Sequence, residues 1–244
     1  MANRVAVITG GAKGIGRAVA FDLASQGWAV AICYRTSANQ AAEVVETVQQ
    51  KGSKGIAVEC DVSKPDAAVS LIERARQEFG RIDALINGAG PYHRVSLLNE
   101  TNDGWHSMFD NNLHPVFYLT QAVIPIMKEQ KWGRIVSFSM ANAEQLIAQP
   151  QLTAHYIAKV GLLALSRAFA KLIAPDGITM NCVSPGFIDS GSAAKDDLDK
   201  MVKFIPAGYV GSVDDAVGAV RYLLSDAARY VNGANIQLSG AWGV

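Results

Sequence analysis

The chain has 244 residues, half of them apolar, and Lys+Arg and Asp+Glu balance at 22 each. That length and apolar content suit one large α/β domain with a sizeable core. The even charge gives no electrostatic footprint for nucleic acid or an anionic membrane, and no stretch approaches the roughly 20 apolar residues of a membrane span.

The first residues, "MANRVAVITGG", run into a strand with no leader pattern, so a soluble cytoplasmic protein is expected. In chain order, strands are expected at 5–9, 29–34, 55–59, 84–87, 134–139, 179–183 and 235–238. They are β-branched and apolar on both faces, as in a parallel sheet covered on each side. Amphipathic helical patterns lie between them at 15–26, 39–51, 66–78, 102–130, 156–173 and 214–224. This alternation predicts a single domain, residues 1–244, with a doubly wound parallel sheet of about seven strands and helices on both faces. Cys33, Cys60 and Cys182 are isolated and odd in number, which suits small buried side chains rather than disulfides. The four histidines show no metal-ligand spacing, and no metal is expected.

The first strand is followed by "TGGAKGIG", Thr9 to Gly16, opening into a helix. A glycine-rich turn there lets backbone amides approach a pyrophosphate, and the helix dipole favours its charge. The spacing of Gly10, Gly14 and Gly16 is GxxxGxG rather than GxGxxG. The second strand ends in "YRTS", with Arg35, Thr36 and Ser37 where an NAD-binding fold carries a carboxylate. Together with Lys13, Arg35 favours NADP(H) over NAD(H).

Further along come "CDVSK", "LINGAG", "NNLHPVFYLTQAVIP", "GRIVSFS", the "AKVGLLALSRAFA" helix and "NCVSPGF". With "TGGAKGIG" this ordered set resembles the short-chain dehydrogenase/reductase family over nearly the full length, above all its β-ketoacyl carrier-protein reductase-like branch. The resemblance implies a Rossmann-type oxidoreductase, a homotetramer or homodimer, that moves hydride between a nicotinamide and a small-molecule carbonyl, a 3-oxoacyl thioester-like compound among the candidates. It implies that Gly10, Lys13, Gly14, Ile15 and Gly16 hold the phosphates and that Asp61 and Val62 border the adenine. Asn87, Ala89 and Gly90 would line the ribose side, with Lys159, Pro185, Gly186 and Ile188 at the nicotinamide end.

In that family a tyrosine hydroxyl gives the proton, and a lysine four residues later lowers its pKa from the phenolic value of about 10. A serine ending the fifth strand orients the carbonyl, and an asparagine supports a water relay. Lys159 and Asn112 match: the interval from Lys159 to Asn181 keeps the family spacing. The other two depart. His155 stands four residues before Lys159, and Tyr156 is one place late. Met140 falls at the serine position, with Ser139 just before it.

Residues four and three before Lys159 lie about 40° and 60° to either side of it, so they point to different places. Three readings stay open. An irregular first helical turn brings Tyr156 in, with Ser139 following; His155, with a reference pKa of about 6.5, is the acid; or the chain binds NADP(H) with impaired or no catalysis and acts by binding or regulation. The segment from Phe187 towards Phe204 is expected to form a substrate lid.

Overall fold

The computed structural model describes residues 4–191 and 195–243. Residues 192–194, within the expected lid segment, lie outside the described residues, as do 1–3 and 244.

The strands are β1 Val5–Thr9, β2 Ala29–Tyr34, β3 Gly55–Glu59, β4 Ala84–Asn87, β5 Gly133–Phe138, β6 Ile178–Pro185, β7 Ile188–Asp189, β8 Gly211–Ser212 and β9 Asn235–Leu238. The helices are α1 Gly14–Ser25, α2 Ala38–Gln50, α3 Pro65–Phe79, α4 Asn102–Asn112, α5 His114–Gln130, α6 Thr153–Ile173, α7 Lys195–Val202 and α8 Val213–Leu224. Seven strands form one sheet in the order β3-β2-β1-β4-β5-β6-β9, and every pairing is parallel. β7 and β8 make a separate short pair.

Alternation along each strand divides the core between the two faces of the sheet. Val7, Ala31, Leu85 and Ile135 pack with α3, α5 and α6. Their neighbours Ala6, Ile8, Val30, Ile32, Ile86 and Val136 pack with α1, α2 and α8. Each fully buried Leu, Ile or Val contributes about 1.5–3 kcal/mol relative to exposure, so two complete faces hold the sheet rigid.

The pattern at 102–130 is interrupted. It forms two helices, α4 and α5, broken at Leu113, because Pro115 lacks an amide hydrogen and favours the first turn of a new helix. The break leaves Asn112 at the end of α4, facing the carboxyl edge of the sheet.

The strand order reverses between β1 and β4, where both connections leave the sheet's carboxyl edge in opposite directions. That topological switch point is where doubly wound sheets bind ligands.

Candidate functional site

A cleft of about 340 Å³ opens at the switch point. One wall is the turn after β1, with Gly10, Lys13, Gly14, Ile15 and Gly16. The other is formed by Gly88, Gly90 and Tyr92 after β4, Phe138 and Ser139 at the end of β5, His155 and Lys159 from α6, and Pro185, Gly186, Ile188 and Ser190 after β6.

The glycine turn fits an anion. A Cβ at Gly16 would lie 2.5 Å from the Gly10 carbonyl oxygen, so only glycine lets the chain fold back this tightly. No side chain caps the N-terminus of α1, and its first turn carries no acid, leaving its amides and dipole for a negative ligand. The opposite wall is tied to β1: the Thr9 hydroxyl oxygen accepts from the amides of Gly88 and Ala89, both at 3.1 Å. A Cβ at Gly88 would lie 2.8 Å from the Thr9 carbonyl oxygen, so the residue there is held by close backbone approach.

Residues assigned to the adenosine end stand outside the cleft wall. Arg35 and Thr36 are exposed at the end of β2, and the Arg35 guanidinium donates to the Asn111 side chain at 3.4 Å. Ser37 precedes α2 without capping it. Burial alone would raise the Asp61 carboxyl, but the Ser63 hydroxyl and amide, Arg35 and Lys64 bring it below its ordinary value. Val62 is buried in the core. Asn87 donates to the Ser137 hydroxyl at 3.0 Å, and its own carbonyl oxygen is enclosed with no partner.

The catalytic candidates separate into two groups. Lys159 is buried in the cleft wall, and its ammonium donates to the Phe138 carbonyl at 2.8 Å. Burial lowers its pKa from 10.5 to about 8. Asn112 donates to the carbonyls of Pro91 at 2.9 Å and Met108 at 3.0 Å, while its Oδ1 is buried and unpartnered. His155 lies in the cleft wall with its ring 5.8 Å from that of Tyr92. Burial first, then the Lys159 charge, drives its pKa down to about 3, so it is neutral at pH 7.

The Ser139 hydroxyl lies at the cleft but donates to the Lys159 carbonyl at 3.0 Å. Met140, at the expected serine position, is half-buried and packs into the core.

Tyr156 does not join them. Helix α6 starts regularly, with the Tyr156 amide bonded to the Leu152 carbonyl at 2.8 Å, and the irregular first turn expected as one reading is absent. The ring is buried, and its hydroxyl donates to the Asn142 carbonyl at 2.9 Å and accepts from the Ile147 amide at 3.0 Å. Sequence reasoning missed the Phe138 carbonyl, because a backbone group that anchors a side chain leaves no mark in residue identity.

Among the described residues no helix is long and apolar enough to cross a membrane, and no cluster of His, Cys, Asp or Glu is arranged to hold a metal.

A family model described as enoyl-(acyl carrier protein) reductase matches residues 10–241. The chain is 36% identical over 247 residues to a 3-oxoacyl-(acyl-carrier-protein) reductase of Staphylococcus epidermidis, covering 98% of each chain. Among solved structures it resembles a protein of Sinorhizobium meliloti 1021 titled as a short-chain alcohol dehydrogenase, with a TM-score of 0.92, 29% identity, and 99% of this chain and 97% of that one covered. The acetoin dehydrogenase of Salmonella typhimurium matches with a TM-score of 0.90 at 27% identity, covering 98% and 96%.

Proposed function

The chain belongs to the short-chain dehydrogenase/reductase family of oxidoreductases, and we propose that it is an NADP(H)-dependent reductase of a small-molecule ketone. One observation carries this reading: the uncapped glycine turn and the Lys159–His155–Ser139 wall face each other across a single cleft. A nicotinamide dinucleotide bound there supplies the hydride.

The chain's own residues do the rest. Gly10, Gly14 and Gly16 let backbone amides approach the phosphates, and Lys13 adds a cation beside them. Arg35 at the end of β2, where no carboxylate stands, suits a 2′-phosphate. Pro185, Gly186 and Ile188 line the far end. Lys159 stands at the reacting end with its ammonium oriented by Phe138. The 3-oxoacyl thioester named for the Staphylococcus relative and the hydroxyketone named for the Salmonella one define the substrate classes to try first. Exposed apolar residues on α5 and α6, Phe117, Ile157 and Leu172, suit assembly into a dimer or tetramer.

A second reading is favoured by the engagement of Tyr156 away from the cleft: a cofactor-binding protein with impaired turnover. The deciding experiment is fluorescence titration with NADPH and NADH, followed by NADPH oxidation with a panel of 3-oxoacyl thioesters, diketones and simple ketones. Tight NADPH binding with turnover on at least one class supports the reductase. Binding with no turnover on any class leaves the binding role.

A further inference from the structure

We propose that Lys159 is itself the proton-transferring group of this site, and that Tyr156 is a positioning residue which holds the loop beside it. This rests on the reading of the cleft as a carbonyl-reducing site.

The Tyr156 hydroxyl is committed at both its hydrogen and its oxygen. Giving a proton into the cleft would break its bonds to Asn142 and Ile147 and turn the ring out of a buried position. Those bonds clamp a loop that needs clamping. Asn142 and Leu146 have φ of 69° and 52°, left-handed values that residues with a Cβ adopt at a cost. The loop then presents Leu146 and Ile147 to solvent, 73% and 44% exposed, from the segment that links the end of β5 to the His155 turn. Tyr156 thus holds the substrate side of the site in shape.

Lys159 has the opposite arrangement. One of its three N–H donors goes to Phe138, and the remainder belong to the cleft wall. Gly90 keeps the adjoining space open: a Cβ there would lie 2.5 Å from Asn112 Oδ1 and 3.3 Å from Lys159 Nζ. The enclosed, unpartnered Asn112 oxygen therefore lies on the same side of Gly90 as the ammonium and packs close to it.

Three of the surrounding polar groups do not compete. His155 on the same helix is neutral, the Cys182 thiol on β6 is pushed up to about 11 by burial, and Ser139 donates to backbone. Tyr92 and His93 lie in the segment after β4, and Lys13 lies across the cleft on the glycine turn. The lowered pKa of Lys159, about 8, suits a group that gives and regains a proton near neutrality.

In the reducing direction the carbonyl carbon would gain a hydride from a bound reduced nicotinamide dinucleotide, and the C–O π electrons would pass to oxygen. The Lys159 N–H bond breaks, its proton goes to that oxygen, and the electron pair remains on a neutral amine. Water returns the proton. In the oxidising direction the neutral amine would take the alcohol proton while a bound oxidised nicotinamide dinucleotide took the hydride.

The test compares wild type, Tyr156→Phe, Tyr92→Phe and Lys159→Ala on one reduced substrate, with NADPH affinity measured separately by fluorescence. Tyr156→Phe should keep kcat within about threefold, raise KM severalfold, leave NADPH affinity unchanged, and make residues 141–147 more sensitive to protease. Lys159→Ala should lose about 10²-fold or more in kcat, the scale of general acid catalysis, with partial rescue by ethylamine or propylamine. Should the alanine variant fail to fold, Lys159→Met with loss of the high-pH limb in kcat serves in its place. The proposal is overturned if Tyr156→Phe or Tyr92→Phe loses 10²-fold in kcat at unchanged KM, or if amines restore nothing to a folded Lys159→Ala. Wild-type protein that turns over nothing in the panel removes the reductase reading itself, and this inference with it.

Discussion

The Lys159 ammonium is buried at the carboxyl edge of the sheet, joined to the Phe138 carbonyl by a 2.8 Å hydrogen bond. Holding a charge there is costly, and the pKa drop from 10.5 to about 8 expresses that cost. The unfolded chain binds the proton more tightly, so folding is penalised below about pH 8 and the penalty is relieved as pH rises from 8 towards 10.5. Lys159→Met should therefore stabilise the cofactor-free protein at pH 7 by about 1–3 kcal/mol after the lost hydrogen bond is set against the relieved burial. The gain should shrink by pH 10. Denaturant melts of both proteins at pH 7 and pH 10 measure it, and a destabilised variant at pH 7 would contradict it.

Cofactor choice rests on Lys13 and Arg35. Arg35→Ala with Lys13→Ala should weaken NADPH at least about tenfold more than NADH, the scale of one charge-assisted contact, since only the Lys13 contact to the shared phosphates affects both. Arg35 is already shared with Asn111 and sits near Asp61, so the single Arg35→Ala effect should be the smaller. Equal losses for both nucleotides in calorimetric titration would remove the 2′-phosphate assignment.

Strand positions were legible because this sheet buries both faces, and runs such as "VAVIT" and "ALIN" are buried throughout and apolar up to their last residue. The position of Lys159 was legible for a related reason. Asn181 on β6 donates to the Val231 carbonyl and accepts from the Ala234 amide, which fixes it as the reference from which Lys159 is counted back. The Tyr156 direction was not legible. One helical step is about 100°, so whether residue 155 or 156 faces the cleft depends on where α6 begins. That start is set by the 139–152 loop, where Asn142 is a residue type that tolerates a left-handed turn but Leu146, also left-handed, carries no turn signature. The break at Leu113 was missed because Pro115 is tolerated in a helix's first turn and the apolar periodicity continues past it.

Gly90 offers a sharp probe of the space between Asn112 and Lys159. Its added methyl would overlap an Asn112 carboxamide fixed by two donors, to Met108 and Pro91, so the side chain cannot swing aside. Gly90→Ala should cost about 1–3 kcal/mol in stability and lower kcat more than Tyr156→Phe does. Urea melts and kinetics at saturating substrate test this, and a wild-type kcat would mean the space is not used.

Asp83 ties the two strands that flank the switch point. Its buried carboxylate accepts from the Val5 amide at 2.8 Å and from Arg81 at 2.8 and 2.6 Å. Asp83→Asn keeps the shape but turns an amide donor toward existing donors, leaving Arg81 uncompensated. The expected loss is about 1–3 kcal/mol, because the Arg81 side chain is 35% exposed and water takes up part of the lost pairing. A denaturant midpoint within experimental error of wild type would show that the pair contributes nothing net.

His155 tests the electrostatic picture from the other side. Its pKa falls from 6.5 to about 3 because burial and the Lys159 charge both oppose the imidazolium. Between those values the unfolded chain binds a proton that the folded one refuses, so stability is lost as pH falls from 6.5 towards 3. His155→Phe should flatten that part of the stability curve, and wild-type kcat should show no limb near pH 6.5 that disappears in the variant. If such a limb is found, the histidine titrates in the working range and shares the proton with Lys159. Its absence leaves the neutral ring as a wall of the cleft, fixed against Tyr92 and shaping what reaches the lysine.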